Sequence, residues 1–337
     1  MFNQLPPDKR EPVRRALSGF GPIEALEAIA GGLSGSGVWR VRARGGAVIL
    51  KIERPADGLN DYARQYACMA LAAEAGVSPR LLFADTDTGI AVIEHIEPRP
   101  LPRREALLPR AASLLGRLHL APVFPPLIDF PEGVAQLIGR LQGLDLVDRT
   151  ALEPVLALWA ELRPTCRWGE DGLVASHNDP NPGNLVWDGE RLWLIDWEAA
   201  FRNDPFVDLA IVSNYLGPSP EDEAMLLERY FGRPADDDRL QRLRLMRQVC
   251  RFYHGAVLMS SAAGWSPPPD ARQLVGPSLA KIGAAIAADR TILARPPIRF
   301  AYGMAMLNQA LAASQRLGSR RKGMRPALQR SSQTSAP

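Results

Sequence analysis

Apolar positions recur along this chain with two different periods, and the change from one to the other divides it. Residues Ala47-Val48-Ile49-Leu50-Lys51-Ile52 form a nearly continuous apolar run interrupted by one lysine, Lys51. A short run of this kind, bounded by turn residues, predicts a buried strand. Ahead of it lie a short amphipathic segment, 23–29, and Gly31-Gly32-Leu33-Ser34-Gly35-Ser36-Gly37-Val38-Trp39-Arg40-Val41, which reads as a glycine-rich hairpin tip with its return strand. Beyond the turn at 55–58, residues 61–74 carry helical spacing closed by Gly76. Two more strand-like runs follow, at 80–83 and 90–96. Hairpin, helix and two strands make a small sheet lobe over residues 1–97. The Pro-rich stretch 97–102 then leads into residues 98–315, where helical periodicity prevails, interrupted by a second Pro-rich loop at 121–131 and a polar segment near residue 180. The expected class is α+β.

Composition narrows this picture. At 337 residues, 46% hydrophobic and 23% charged, the chain has material for a large core and about two domains. It contains no run of 18 apolar residues, and Met1-Phe2-Asn3-Gln4-Leu5-Pro6-Pro7-Asp8 lacks the basic and apolar blocks of a secretory signal, so a cytoplasmic protein without a membrane partner is expected. Cys68, Cys166 and Cys250 are far apart, show no metal spacing and read as small core residues. The net charge of +3 is unevenly spread: residues 316–337 hold six basic residues and no acid, leaving 34 basic against 37 acidic residues, a net −3, in the body. That terminal stretch reads as a solvated, disordered tail, and no nucleic-acid partner is expected.

Candidate chemistry concentrates in two places. The first is His177-Asn178-Asp179-Pro180-Asn181-Pro182-Gly183-Asn184, followed after an apolar run by Ile195-Asp196-Trp197-Glu198. An Asp, an Asn five residues on, and a second Asp closing a strand-like segment have the layout of a phosphoryl-transfer site. One carboxylate is needed beside the acceptor hydroxyl, while a carboxylate and an amide oxygen suit Mg²⁺. The second place is Lys51. The chain has 36 arginines and four lysines, and Lys51 is the only lysine between Lys9 and Lys281. A compact ammonium on a strand can reach nucleotide phosphates in a way the wider guanidinium fork does not. The hairpin tip could add backbone N–H groups for phosphate oxygens. No Gly-x-x-x-x-Gly-Lys-Ser/Thr occurs, which excludes the P-loop class on its own motif.

Taken in order, the glycine-rich hairpin, Lys51, the helix, the apolar strand, His177-x-Asp179-x-x-x-x-Asn184, Ile195-Asp196-Trp197-Glu198 and Asp204-Pro205-x-x-Asp208-Leu209-Ala210 resemble the aminoglycoside phosphotransferase and choline kinase superfamily, most of all its choline/ethanolamine kinase-like branch. The resemblance implies a two-lobed protein-kinase-like fold and transfer of the ATP γ-phosphoryl group to a small-molecule hydroxyl, with ATP and Mg²⁺. By position it makes Asp179 the catalytic base and Asn184 and Asp196 the metal ligands. His177 and Asp208 would support the loop. Lys51 would contact phosphate, Gly32, Ser34, Gly35 and Ser36 would cradle it, and the strand end Glu94 to Ile96 would face adenine.

There are two departures from the family pattern. Gln65 stands where related kinases carry the helix glutamate that pairs with the strand lysine, which leaves Asp61 as another possible partner. Pro180-Asn181 replaces residues that are more often apolar. The substrate candidates are Asn181, Glu198, Asp204 and Trp265, with Trp197, Phe201, Phe252, Tyr253 and His254 as further aromatics. Acids with aromatics suit a cationic amino alcohol such as choline or ethanolamine, or thiamine; an aminoglycoside or sugar is the alternative acceptor. A nucleotide-binding interaction module that has lost transfer is the alternative of another class.

Overall fold

A computed structural model describes residues 2–29, 35–144, 146–217, 219–273 and 276–323. Gly32 and Ser34 of the expected phosphate cradle lie outside these residues. Along the chain the elements are α1 (Arg10–Leu17), β1 (Ile23–Ala28), β2 (Gly37–Ala43), β3 (Gly46–Ile52), α2 (Tyr62–Glu74), β4 (Leu81–Asp85), β5 (Ile90–Glu94), α3 (Arg104–His119), α4 (Phe130–Gly143) and α5 (Arg149–Leu162). They continue with β6 (Val174–Ser176), β7 (Leu185–Trp187), β8 (Leu192–Leu194), β9 (Phe201–Asn203), α6 (Pro205–Leu216), α7 (Pro220–Phe231), α8 (Asp237–Ser260), α9 (Leu279–Ala288) and α10 (Pro296–Gly323).

The chain divides into two compact units, Met1–Phe130 with Arg167–Arg247, and Pro131–Cys166 with Gln248–Pro337. This differs from a division at residue 97. Backbone bonds from Leu194 N–H to the Val77 carbonyl (2.8 Å) and from Arg99 N–H to the Trp187 carbonyl (2.6 Å) tie the sheet to the segment carrying Asp179 and Asp196.

In the first unit the five strands form an antiparallel sheet of order β1-β2-β3-β5-β4. Strand alternation sorts β3: Val48, Leu50 and Ile52 turn one way and join Ile90, Val92 and the α1 residues Val13 and Leu17 in one apolar cluster. Helix α1 was not anticipated from the sequence. Its burial rests on Val13, Ala16 and Leu17, too few to show a period over eight residues. Lys51 turns the other way, opposite Ala91, which packs with Tyr62 and Tyr66 of α2. The Asp61 carboxylate caps α2 by accepting from Arg64 N–H at 3.1 Å, and Gly76 leaves the helix at φ 68°.

The rest of this unit contains two small hairpin-like pairs, β6 with β9 and β7 with β8. Helix α6 is apolar almost all round, with Phe206, Val207, Leu209, Ala210, Ile211 and Val212 buried, and such a helix belongs inside a protein. The one carboxylate in its first turn, Asp208, is equally buried.

The second unit is helical: the end of α8 from Gln248, most of α4, and α5, α9 and α10. Trp159 packs against Phe252 (6.5 Å between rings) and Trp265 edge-on against Phe300 (5.3 Å). Helix α10 runs on to Gly323, into the basic stretch read as a tail from 316, and 324–337 lie outside the described residues. Among the described residues no helix is long and apolar enough to cross a membrane.

Helices α8 and α10 cross with their backbones in contact. A methyl group added at Gly303 would stand 2.5 Å from the Gly255 carbonyl oxygen and 2.6 Å from Met259 Cγ. Gly303→Ala is therefore expected to destabilise the protein by about 1–3 kcal/mol, read as a lowered midpoint of urea unfolding. Gly283→Ala, where nothing lies within 4 Å, is the matched control and is expected to be neutral or slightly stabilising.

Candidate active site

The site forms around the loop that follows β6. Two successive backbone N–H groups, of His177 and Asn178, donate to the two carboxylate oxygens of Asp208 at 2.9 and 2.7 Å. His119 Nε2 reaches the same carboxylate at 3.0 Å, and its Nδ1 meets the Tyr230 hydroxyl at 2.7 Å. Burial alone would push the Asp208 carboxyl up; the His119 bond and the neighbouring donors outweigh it and hold the group below its ordinary range. Neither His119 nor Tyr230 was expected at the site, since they lie 58 and 53 residues from His177 with no motif to connect them.

Asn178 takes a left-handed conformation (φ 63°). Its amide donates to the carbonyls of Ala199 (3.0 Å) and Phe201 (3.1 Å), and its oxygen accepts from Ser176 Oγ (3.0 Å) and Asn203 Nδ2 (2.7 Å). The loop is thereby stitched to the segment that carries Asp196 and Glu198. His177 bridges the same gap. Its Nε2 lies 3.0 Å from the Ile195 carbonyl, its Nδ1 accepts from Asp179 N–H at 3.3 Å, and its ring packs edge-on to Trp197. Burial holds the ring's pKa down, so it serves as a neutral bridge with Nε2 as donor.

Asp179 is half-buried, with both oxygens placed by amides. Asn181 Nδ2 donates to Oδ1 at 2.9 Å and Asn184 Nδ2 to Oδ2 at 3.2 Å and to the Asp179 carbonyl at 2.9 Å. Asn181 also accepts from Gly183 N–H through its own side-chain oxygen, at 2.8 Å. Burial pushes the Asp179 carboxyl up to about 7; the Asn181 bond opposes this, and the charges of Asp196 and Glu198 add to it.

Lys51 enters from β3, 8% exposed at its side chain. Its Nζ lies 3.0 Å from Asp196 Oδ1 and 3.1 Å from Glu53 Oε1. Burial would lower its pKa, but Asp196, Glu53 and Glu198 together raise it, so the ammonium is firmly charged. The residues considered as partners for Lys51 in the sequence are engaged elsewhere. Gln65 donates to Asn60 Oδ1 at 2.5 Å, and Asp61 caps α2. Glu53 takes the place of the missing helix glutamate, because residues i and i+2 of a strand share a face. Its other oxygen accepts from Ser36 Oγ at 2.7 Å, which joins the glycine-rich loop to the lysine. Gly35, beside it, is left-handed at φ 76°.

Asp196 itself sits at φ 69°, a conformation costly for a non-glycine residue and often found at functional positions. Arg64 of α2 holds the following segment, donating to the carbonyls of Glu198 (2.7 Å) and Ala200. Glu198 Oε2 is buried and has no hydrogen-bond partner among the described residues, and burial with the Asp196 charge raises its pKa. Three carboxylates, of Asp196, Glu53 and Glu198, thus bear on one lysine, and the charges of Asp196 and Glu198 also bear on Asp179.

Hard oxygen donors in excess, one of them orphaned, fit a small divalent cation. Among the described residues no three His, Cys, Asp or Glu side chains converge as a complete metal set. The fit is therefore to an ion held by few protein ligands, with Asn184, whose amide nitrogen is spent on Asp179, and Asp196 as the available oxygens.

Other candidates are placed differently. Asp204, named as a substrate contact, is 1% exposed. It caps α6 through Phe206 N–H (2.9 Å) and pairs with Arg242 Nη2 (2.7 Å) and Gly169 N–H (2.7 Å), so its carboxylate is fully engaged. Trp197 and Phe201 are core residues. Trp265 belongs to the second unit. The Glu94 side chain pairs with Arg80 (3.1 Å) away from the lysine, and Val48↔Glu94 is the last register pair of β3 with β5, so the chain leaves the sheet just before Ile96.

A sheet with a buried, carboxylate-held lysine, joined to a loop that presents an aspartate between two asparagines, defines a phosphotransferase of kinase-like fold. The chain belongs to the phosphotransferase enzyme family, which it matches over residues 25–243. It is 40% identical over 58 residues to protein LicA of Haemophilus influenzae, which amounts to 17% of this chain and about a fifth (22%) of that relative's length. Its fold is similar to that of a choline/ethanolamine kinase family protein from Mesorhizobium loti (TM-score 0.59, 23% identity, 94% of this chain and 100% of the other). It is also similar to a spectinomycin phosphotransferase crystallised with ADP and spectinomycin (TM-score 0.56, 12% identity, 90% and 98%).

Asp208→Asn keeps the shape but removes the charge that two backbone donors and His119 share. A loss of about 3 kcal/mol in unfolding free energy is expected, measured by urea denaturation. Gln65→Glu, which leaves that carboxylate untouched, is expected to reproduce none of this through the loop.

Proposed function

We propose that this chain transfers the γ-phosphoryl group of ATP to the hydroxyl of a small cationic amino alcohol, of the choline, ethanolamine or thiamine kind. The observation that carries the reading is the 3.0 Å pair of Lys51 and Asp196, which brings a strand ammonium to the carboxylate beside the Asp179 loop. Phosphoryl transfer asks little covalent chemistry of the protein and depends on positioning and charge. The acceptor hydroxyl donates to Asp179, whose two oxygens are aimed by Asn181 and Asn184. Lys51 grips the phosphates, its own position set by Glu53, and the amides after Gly35 close over them. The strand end Glu94 to Ile96 offers its backbone to the base. A divalent cation, held by Asn184 and Asp196, would neutralise charge on the triphosphate.

The preference for a cationic acceptor rests on the charge surplus. Asp196, Glu53 and Glu198 outnumber Lys51, and Glu198, with a buried oxygen that has no hydrogen bond among the described residues, would favour an ammonium over a neutral sugar. The likeness to a choline/ethanolamine kinase family protein points the same way, while aminoglycosides, also cationic, are the second acceptor class to be tried.

Across a panel of choline, ethanolamine, thiamine, aminoglycosides and neutral sugars, acceptor-dependent ADP release should saturate with an amino alcohol; nucleotide binding without turnover on any of them would sink the proposal in favour of an interaction module. Asp179→Asn should keep MgATP affinity and lower turnover by about 10²–10⁴-fold, whereas Asp196→Ala should remove the metal dependence of nucleotide binding, seen by calorimetry with and without Mg²⁺. Glu53→Gln should weaken MgATP binding by about tenfold, and Gln65→Ala should not.

A further inference from the structure

Beside β7 and β8, and flanked by α3 and α7, the first unit has a groove of about 610 Å³ that the reading above leaves without a role. Arg110 and Arg117 line it from α3, seven residues and therefore two turns apart on one helix face. Arg191 enters from the turn between β7 and β8, Arg229 from α7, and Trp187 supplies an aromatic wall. Glu190 is the one acid among the lining residues.

Elsewhere in this unit exposed Arg104 and buried Arg242 and Arg247 are matched by the carboxylates of Asp222, Asp204 and Glu223, while buried Arg64 is held by backbone carbonyls. None of the four groove arginines has a carboxylate oxygen within 4.0 Å among the described residues. Three hold only neutral partners. Arg110 donates to the Ala106 carbonyl (2.8 Å) and lies 5.3 Å from the Trp187 ring centre; Arg191 donates to the Gly76 carbonyl (3.2 Å) over the Trp193 ring; Arg229 donates to Ser113 Oγ (3.1 Å). Arg117 makes no hydrogen bond to a described residue, and burial together with the Arg191 charge holds its pKa below the ordinary value.

Carbonyls, a hydroxyl and ring faces orient guanidinium groups without neutralising them. Four like charges around one concavity repel, and the repulsion is relieved by an anion with several oxygens. The planar donor fork of arginine matches phosphate oxygens in pairs. We propose that this groove is a second ligand site, for a small multiply charged phosphate-bearing anion, separate from the Lys51–Asp196 site. Such an anion could be soluble or could be the headgroup of an acidic lipid.

The test titrates inorganic pyrophosphate into the full chain by calorimetry at low ionic strength, in the wild type and in Lys51→Ala, which separates any binding at the phosphotransfer site. One saturable site that survives Lys51→Ala is expected. It should weaken about tenfold or more in Arg117→Gln/Arg229→Gln and again in Arg117→Glu, and should be unchanged in Arg14→Gln/Arg42→Gln, whose arginines are not in the groove. Retained melting temperatures in the groove variants, and a cooperative unfolding transition in Lys51→Ala, show that the variants fold. Co-sedimentation with phosphatidylcholine vesicles, with and without phosphatidic acid, assigns the source: recruitment by phosphatidic acid that needs the same arginines marks a headgroup, and pyrophosphate binding without recruitment marks a soluble anion. Equal pyrophosphate affinity in wild type and groove variants, or no saturable binding of either probe, overturns the proposal.

Discussion

A buried ammonium carries the structure's central constraint. Lys51 sits on the sheet with its charge taken out of water, and a buried charge is tolerated only where partners compensate for the lost hydration. The compensation comes from two directions, Glu53 on the same strand and Asp196 at the end of the β7–β8 pair. Removing one partner of such a pair typically costs about 3–5 kcal/mol. The sheet and the loop segment therefore hold each other in register, and Ser36, bonded to Glu53, brings the glycine-rich turn into the same network.

Around this pair, most of the site's polar residues orient one another. Asp208 fixes two backbone N–H groups of the loop, Asn178 stitches the loop to residues 199–201, Arg64 pins residues 198–200 from α2, and Asn181 with Asn184 aims Asp179. Asp196 and Glu198 are the exceptions. One adopts a costly backbone conformation and the other keeps a buried oxygen without a hydrogen bond. Strain at one position and, two residues on, a buried acceptor without a hydrogen bond among the described residues are features that cluster at functional sites.

Much of this was legible in the chain. Lys51 stood out because the sequence uses arginine nearly everywhere else, and the run around it was short and apolar as a buried strand should be. The spacing of Asp179, Asn184 and Asp196 marked one loop and one strand end, and the structure brings Asp196 to Lys51 and Asn184 to Asp179. The partner of Lys51 was legible too, in Lys51-Ile52-Glu53, but only to a count of period two; counting back along the helix led to Gln65 instead. Other features could not be read. His119 and Tyr230 reach Asp208 from distant helices, Arg64 works through backbone carbonyls that carry no sequence signal, and Asp204 resembled a site residue because a helix cap and a ligand carboxylate use the same side chain.

The pairing of Glu53 with Lys51, in place of a helix glutamate, bears most directly on the nucleotide site proposed above. A double-mutant cycle on MgATP affinity, pairing Lys51→Met with Glu53→Gln and, separately, with Gln65→Ala, isolates the two couplings. A coupling of about 1 kcal/mol or more between Lys51 and Glu53, with almost none between Lys51 and Gln65, is predicted. Coupling to Gln65 with none to Glu53 would contradict the account.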